Sequence, residues 1–190
     1  MDEANRKPRR GRRAHLADFR LGENGGYEYT GQTYSLQGGD ACQRVLERRL
    51  CALSLAVFAA SLAAACVTAP GTANCAYILL PYLGSLLSAV SLLWGSLKLC
   101  WGDIPLRQYT YDVTIKQFPL RTALAAVFSA LTMAAQCVYA ALNGVGGMGV
   151  GMALFLLCQA CVLAGALLFR RLVRASVWVP QLRGRDGSEK

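Results

Sequence analysis

The feature that constrains this chain most is a pair of long runs without a charged residue. Between Leu50 and Leu97, and again between Thr122 and Phe169, the sequence has no Asp, Glu, Lys, Arg or His. A helix of about 20 apolar residues crosses the ~30 Å hydrocarbon core of a bilayer, so each run is long enough for two spans. Turn-forming residues interrupt each run once, at 70–74 and at 143–147. The pattern predicts an all-α membrane protein whose four transmembrane helices form two consecutive hairpins.

Charge and hydropathy also divide the chain into segments. We expect the spans at about 50–69, 76–97, 122–142 and 149–169. The predicted segments are a disordered basic tail 1–18, a cytoplasmic aromatic segment 19–49, a first transmembrane hairpin 50–97, a cytoplasmic loop 98–121, a second transmembrane hairpin 122–169 and a basic cytoplasmic tail 170–190. The tail 1–18 is expected to be disordered because its few apolar residues cannot offset the entropy lost on ordering.

The basic residues predict the orientation of the chain. Of the 20 Lys and Arg residues, ten lie in 1–49, four in 98–121 and six in 170–190, and none lies in the turns within the hairpins. Short loops rich in Lys and Arg stay on the cytoplasmic side of a membrane. We therefore expect a multi-pass protein of the cell membrane with both termini and the central loop in the cytoplasm.

The net charge of +9 is interpreted in the same way. In a soluble protein it would suggest nucleic acid as a partner. Here the charge is concentrated next to the predicted spans, where basic residues meet anionic lipid headgroups at about 1 kcal/mol each. We expect the bilayer and its anionic headgroups to be the partners of the basic tails, and nucleic acid is not expected.

Tyrosines mark two cytoplasmic segments that could bind another protein. Residues 19–36 contain Tyr27, Tyr29 and Tyr34, and the central loop contains Tyr109 and Tyr111. From 109 to 116, aromatic and β-branched residues alternate with polar ones, which favours a strand. The two segments either pair as a small sheet under the bundle or lie on the headgroups with their tyrosines inserted. These five tyrosines are the predicted partner-docking surface.

The spans lack the ionisable residues that many membrane functions require. Proton-coupled transport and aspartate-based intramembrane proteolysis need charged groups at depth, and no His or carboxylate cluster in the spans could hold a metal. The sequence therefore predicts no catalytic residue, no cofactor-binding residue and no metal ligand. The spans are instead rich in small residues, such as Gly84, Gly95 and Gly151, and Ala126, Ala130 and Ala134 form a ridge. Such residues allow helices to pack closely.

Cysteines offer the remaining reactive groups. Cys158 and Cys161 form a CxxC, the spacing of dithiol redox sites. A four-span chain with this motif resembles in outline the quinone-linked membrane enzymes that generate disulfides. Those enzymes present cysteine pairs in or near outer loops, whereas Cys158 lies about 13 Å into the fourth span at ~1.5 Å per residue. A disulfide from Cys66 to Cys75, closing the first turn, is the second cysteine hypothesis.

Two glutamines are the largest polar side chains inside the spans. Gln136 and Gln159 are expected at similar depths in antiparallel helices, where they would hydrogen-bond to each other. Together these features favour a non-enzymatic membrane subunit or scaffold that acts with a membrane-protein partner. The alternatives are a homo-oligomeric transporter or channel component for an uncharged or apolar solute, and a thiol-disulfide oxidoreductase that uses Cys158 and Cys161.

Overall fold

The structure is a computed structural model, and it describes residues 19–21, 27–29, 32–72, 74–102, 104–144 and 149–181. For 19–21 and 27–29 it describes the backbone but not the side chains. The predicted disordered tail 1–18 and residues 182–190 lie outside the described residues.

Four long helices dominate the described chain. In chain order the helices are α1 Gly39–Cys66, α2 Ala76–Cys100, a short α3 Gln108–Val113, α4 Phe118–Asn143 and α5 Gly149–Ala175. The four long helices are all long and apolar enough to cross a membrane, α4 together with the short α3 before it. The prediction of four candidate spans is confirmed.

Two of these helices extend well beyond the apolar runs. Helix α1 begins at Gly39 instead of near Leu50, and α5 continues to Ala175. The extension of α1 is amphipathic, because Gln43 and Glu47 are buried while the neighbouring arginines are exposed. The start of an apolar run therefore does not mark the start of a helix.

The long helices form a ring in which sequence neighbours are also neighbours in space. Helix α1 packs against α2 and α5, and α4 packs against α2 and α5. Each adjacent pair is antiparallel. We call the end of the ring where α1 begins and α5 ends the basic end, and the end with the two hairpin turns the turn end.

Glycines bring the helices close together, as expected. A Cβ on Gly84 would lie 2.8 Å from the ring of Phe128, and one on Gly151 would collide with the carbonyl oxygen of Thr68. Of the predicted alanine ridge, Ala126 packs against the buried cluster that contains Leu50, whereas Ala130 and Ala134 are exposed on the outside of α4.

Strands gather at the basic end. β1 Phe19–Leu21 pairs with β2 Tyr27–Tyr29 as an antiparallel hairpin. β3 Thr33–Leu36 is the central strand of a second sheet, between β4 Leu106–Arg107 and β5 Trp178–Gln181. Both neighbours of β3 are antiparallel to it. A small sheet is therefore present, and it joins three distant parts of the chain.

Two local predictions about this end are wrong. The segment 109–116 is not a strand: it forms α3 and the turn that follows. The helix brings Tyr111 onto the ring of Tyr34, and Ile115 is buried in the turn that follows. The basic sequence 170–179 also predicts that the last helix continues as far as Pro180. The helix instead ends at Ala175, and Trp178–Gln181 form the strand β5, which pairs with β3.

Candidate functional site

Three aromatic rings from distant parts of the chain meet at the basic end. Tyr34 of β3 stacks on Tyr111 of α3, with ring centroids 4.1 Å apart and ring planes 5° from parallel. The ring of Trp178 in β5 lies 5.9 Å from that of Tyr111. We call these three residues the aromatic platform. Its rings pack on the buried cluster that contains Leu50, and so they join the segments outside the long helices to the bundle.

The five docking tyrosines do not share one role. The stacking of Tyr34 on Tyr111 occupies one face of each ring inside the molecule. Tyr109 presents 57% of its surface to the exterior. The side chains of Tyr27 and Tyr29 lie outside the described residues, although their backbone forms β2. The docking role of this set stays a prediction, and Tyr109 is its exposed member.

The surroundings of the platform keep the phenol of Tyr111 neutral and the amine of Lys116 charged. Burial raises the pKa of the Tyr111 phenol above its usual value. A hydrogen bond and ion pair with Asp112 raise the pKa of Lys116. At physiological pH the platform therefore presents a neutral aromatic stack with an exposed ion pair at its edge.

A polar cavity lies at the basic end where α1 meets the end of α2. It has a volume of about 440 Å³ and is lined by Arg44, Glu47, Arg48, Cys100, Gly102 and Ile104. The carboxylate of Glu47 accepts a hydrogen bond of 2.9 Å from Nε2 of Gln43. This pair was not predicted from the sequence. A helical spacing of buried positions continues into the charged segment and could have predicted it: Gln43, Glu47, Leu50 and Ser54.

An apolar groove of about 350 Å³ lies where the start of α1 meets the end of α5. Its lining includes Leu36, Val45 and Leu172, with the exposed thiol of Cys42 among them. The groove and the polar cavity are both at the basic end, near the ends of the predicted spans. A partner that binds this end meets apolar and charged surfaces side by side.

Arg121 attaches α4 to α2 at the same end. Its Nη1 donates a hydrogen bond of 2.9 Å to the carbonyl oxygen of Ser91, and its Nη2 donates one of 2.6 Å to Oε1 of Gln117. The guanidinium reaches the backbone of α2 because Gly95 has no side chain there, and a Cβ on Gly95 would lie 2.8 Å from Nη1. This arginine is therefore a structural contact between helices.

No two cysteines are joined by a disulfide bond in the structure. All eight cysteines are free thiols, including Cys66 and Cys75, so the structure does not contain the predicted disulfide. Cys158 is half-buried and packs on the cluster of Ala64, Tyr82 and Phe155, whereas Cys161 is exposed. The two thiols of the CxxC thus lie in different surroundings, and their redox role stays a prediction.

The predicted hydrogen bond between Gln136 and Gln159 is wrong. Nε2 of Gln136 donates to the carbonyl oxygen of Pro70 at 3.0 Å, in the first turn. Gln159 is level with Ser129, whose hydroxyl donates to its backbone oxygen at 2.7 Å. Ser129 and Gln136 are seven residues apart in α4, about 10.5 Å at ~1.5 Å per residue. The two amides are thus too distant to bond.

No family model, curated protein or solved structure matches this chain. The four long apolar helices indicate a membrane protein. Within the described ranges, no group of three or more His, Cys, Asp or Glu side chains could hold a metal ion.

Proposed function

We propose that this protein is a non-enzymatic subunit or scaffold of the cell membrane, with its basic end and both termini in the cytoplasm. The observation that carries the proposal is that large buried side chains fill the centre of the bundle near both ends. Phe118 and Phe169 meet edge to face at the basic end, with ring centroids 4.9 Å apart, and both are fully buried. Near the turn end, the rings of Tyr82 and Phe155 form a second, tilted pair with centroids 6.0 Å apart. A bundle closed at two levels suits a structural role better than passage of a solute.

The aromatic platform supports the docking part of the proposal. It holds segments from before α1, between α2 and α4, and after α5 in one compact surface. Such a surface keeps its shape without a partner, so binding a second protein costs little ordering entropy. Tyr109 and Trp101 are exposed near it and offer aromatic contacts, and aromatic residues are enriched at protein interfaces.

The alternative of a homo-oligomeric transporter or channel component has one observation in its favour. An apolar groove of about 530 Å³ lies on the outside of α2 and α4 toward the turn end. Its lining includes Leu80, Pro81, Phe128 and Leu131. Copies that associate through this groove would enclose space between bundles, which a single bundle does not offer.

The proposed orientation can be tested by labelling single cysteines in intact cells. In a cysteine-free background, Asn143→Cys places a thiol at the turn end and Arg107→Cys places one at the basic end. A membrane-impermeant maleimide should label the first from outside and the second only after the membrane is opened, because basic loops stay in the cytoplasm. Labelling of Arg107→Cys in intact cells would show that the basic end faces outward, which contradicts the proposed orientation.

The scaffold proposal is tested by affinity purification from the native membrane in mild detergent, followed by mass spectrometry. We expect a stoichiometric partner, and we expect Tyr109→Ala to reduce its recovery because truncation of an exposed aromatic anchor typically costs more than 1 kcal/mol of binding. Leu120→Ala is the control, since Leu120 is exposed on α4 and is not part of the platform. Recovery of the protein alone, or only with copies of itself, would overturn the scaffold proposal and favour the transporter.

A further inference from the structure

Most hydroxyl groups inside the bundle bond to their own helix. Ser88 donates to the carbonyl oxygen of Gly84 at 2.8 Å, and Ser96 donates to that of Leu92 at 3.0 Å. Ser54, Thr122 and Thr132 make equivalent bonds to Cys51, Phe118 and Phe128. Among the hydroxyls of the described spans, those of Ser61 and Ser85 are fully buried and have no hydrogen-bond partner.

These two serines lie at the same level of the bundle. Val57 of α1 clusters with Ala89 of α2 and Val162 of α5. One turn further toward the turn end, these helices reach Ser61, Ser85 and Gln159, because α2 and α5 are antiparallel to α1. Three helices therefore present a polar side chain at one depth.

The fourth helix contributes Ser129 to this level. Its hydroxyl bonds to the backbone oxygen of Gln159 and lies 3.2 Å from the side-chain oxygen Oε1 of the same residue. The amide nitrogen Nε2 of Gln159 is buried and has no partner. We call Ser61, Ser85, Ser129 and Gln159 the polar layer; all four are fully buried.

We propose that the polar layer is a binding site for water, with at least one molecule bridging the hydroxyls of Ser61 and Ser85 and the amide of Gln159. Buried polar groups in proteins are almost always satisfied by a protein group or an ordered water. A hydroxyl both donates and accepts, and an amide nitrogen donates, so this set offers the two to four partners that a buried water needs.

The chemistry of the layer favours a neutral occupant. No ionised side chain faces it from the four helices, because the spans contain none, and an unpaired ion in such surroundings would be strongly destabilised. Apolar layers flank it on both sides, with Val57, Ala89 and Val162 toward the basic end and Tyr82 and Phe155 toward the turn end. The site is therefore enclosed.

Radiolytic footprinting can detect this water. An X-ray pulse converts bound water to hydroxyl radicals, which oxidise nearby side chains, and mass spectrometry locates the products. Tyr82 is the reporter, because it is buried and its hydroxyl donates to the backbone oxygen of Ser61 at 2.9 Å. Phe118 is the control, because it is fully buried among apolar side chains at the basic end.

We expect Tyr82 in the intact protein to be oxidised several-fold faster than Phe118, after correction for the intrinsic reactivity of each ring. The variant that combines Ser61→Ala, Ser85→Ala and Gln159→Leu should lose this excess, because no group remains to hold the water. Equal rates at Tyr82 and Phe118, or an excess that persists in the variant, would overturn the proposal.

A second measurement keeps the test open if the triple variant does not fold. Ser61→Ala and Ser85→Ala are made separately and together, and their effects on unfolding are compared. Residues that share a bridging water should show coupled effects, although their oxygens are not hydrogen-bonded to each other. Strictly additive effects would contradict the proposal.

Discussion

Replacing Phe118 with alanine should destabilise the bundle by about 3–5 kcal/mol, the range for removing a fully buried phenylalanine side chain. Phe118 begins α4 and is fully buried between the ring of Phe169 and the leucines of α1 and α2. Alanine would leave a cavity at the point where these helices meet near the basic end. The free energy of unfolding, measured by titration with sodium dodecyl sulfate in mixed micelles, checks this prediction.

A matched control lies two residues further along the same helix. Leu120 is 64% exposed and faces away from the bundle. Leu120→Ala should therefore change the free energy of unfolding by less than about 0.5 kcal/mol, as is usual for surface substitutions. If Phe118→Ala were as mild as this control, the closure of the bundle at its basic end would be wrong.

Gly165→Ala should destabilise the bundle by about 1–3 kcal/mol, the range for overpacking a filled core. A Cβ on Gly165 of α5 would collide with Cγ2 of Val57 on α1. Valine cannot easily turn away in a helix because one χ1 rotamer is strongly preferred. The two helices would have to separate, which loosens the layer formed by Val57, Ala89 and Val162.

The rescue of this variant identifies the contact. Val57→Ala removes the methyl group that Cβ meets, so the double variant should unfold at a higher detergent concentration than Gly165→Ala alone. A double variant that is weaker than either single variant would show that Gly165 does not face Val57. The same titration used for Phe118→Ala measures all three proteins.

The part of the fold that was predictable from sequence follows from the bilayer. Water-free surroundings force every backbone group to bond within its own segment, so a long charge-free run must be helical. This reasoning found four spans and both breaks between them. It placed the start of α1 too close to the apolar run, because outside lipid an amphipathic stripe continues a helix just as well.

The basic end was harder to predict because its segments are short. Residues 109–116 alternate with a period of two, but they also contain a four-residue spacing that suits a helix. In the structure Gln108–Val113 are helical, and Tyr111 stacks on Tyr34. The segment after α5 became a strand because β3 was available beside it. Such pairing partners come from distant positions, so a local pattern does not reveal them.

The candidate sites show the same limit. Gln136 and Gln159 were identified correctly as buried polar side chains, but the register of α4 against α5 decided their partners. That register is the one in which Ser129 bonds to the backbone oxygen of Gln159 and Phe118 meets Phe169, and a one-turn shift moves a side chain by about 5.4 Å.

The sequence by itself determined that this chain has four apolar helices, where they break, and which segments carry the basic residues. These features depend on whether each segment suits lipid or water, and not on contacts between segments. Only the tertiary structure decided that Ser61, Ser85, Ser129 and Gln159 share one layer and that three distant segments meet at the aromatic platform. Both are set by how helices pack against one another, and packing depends on side-chain shape across the bundle.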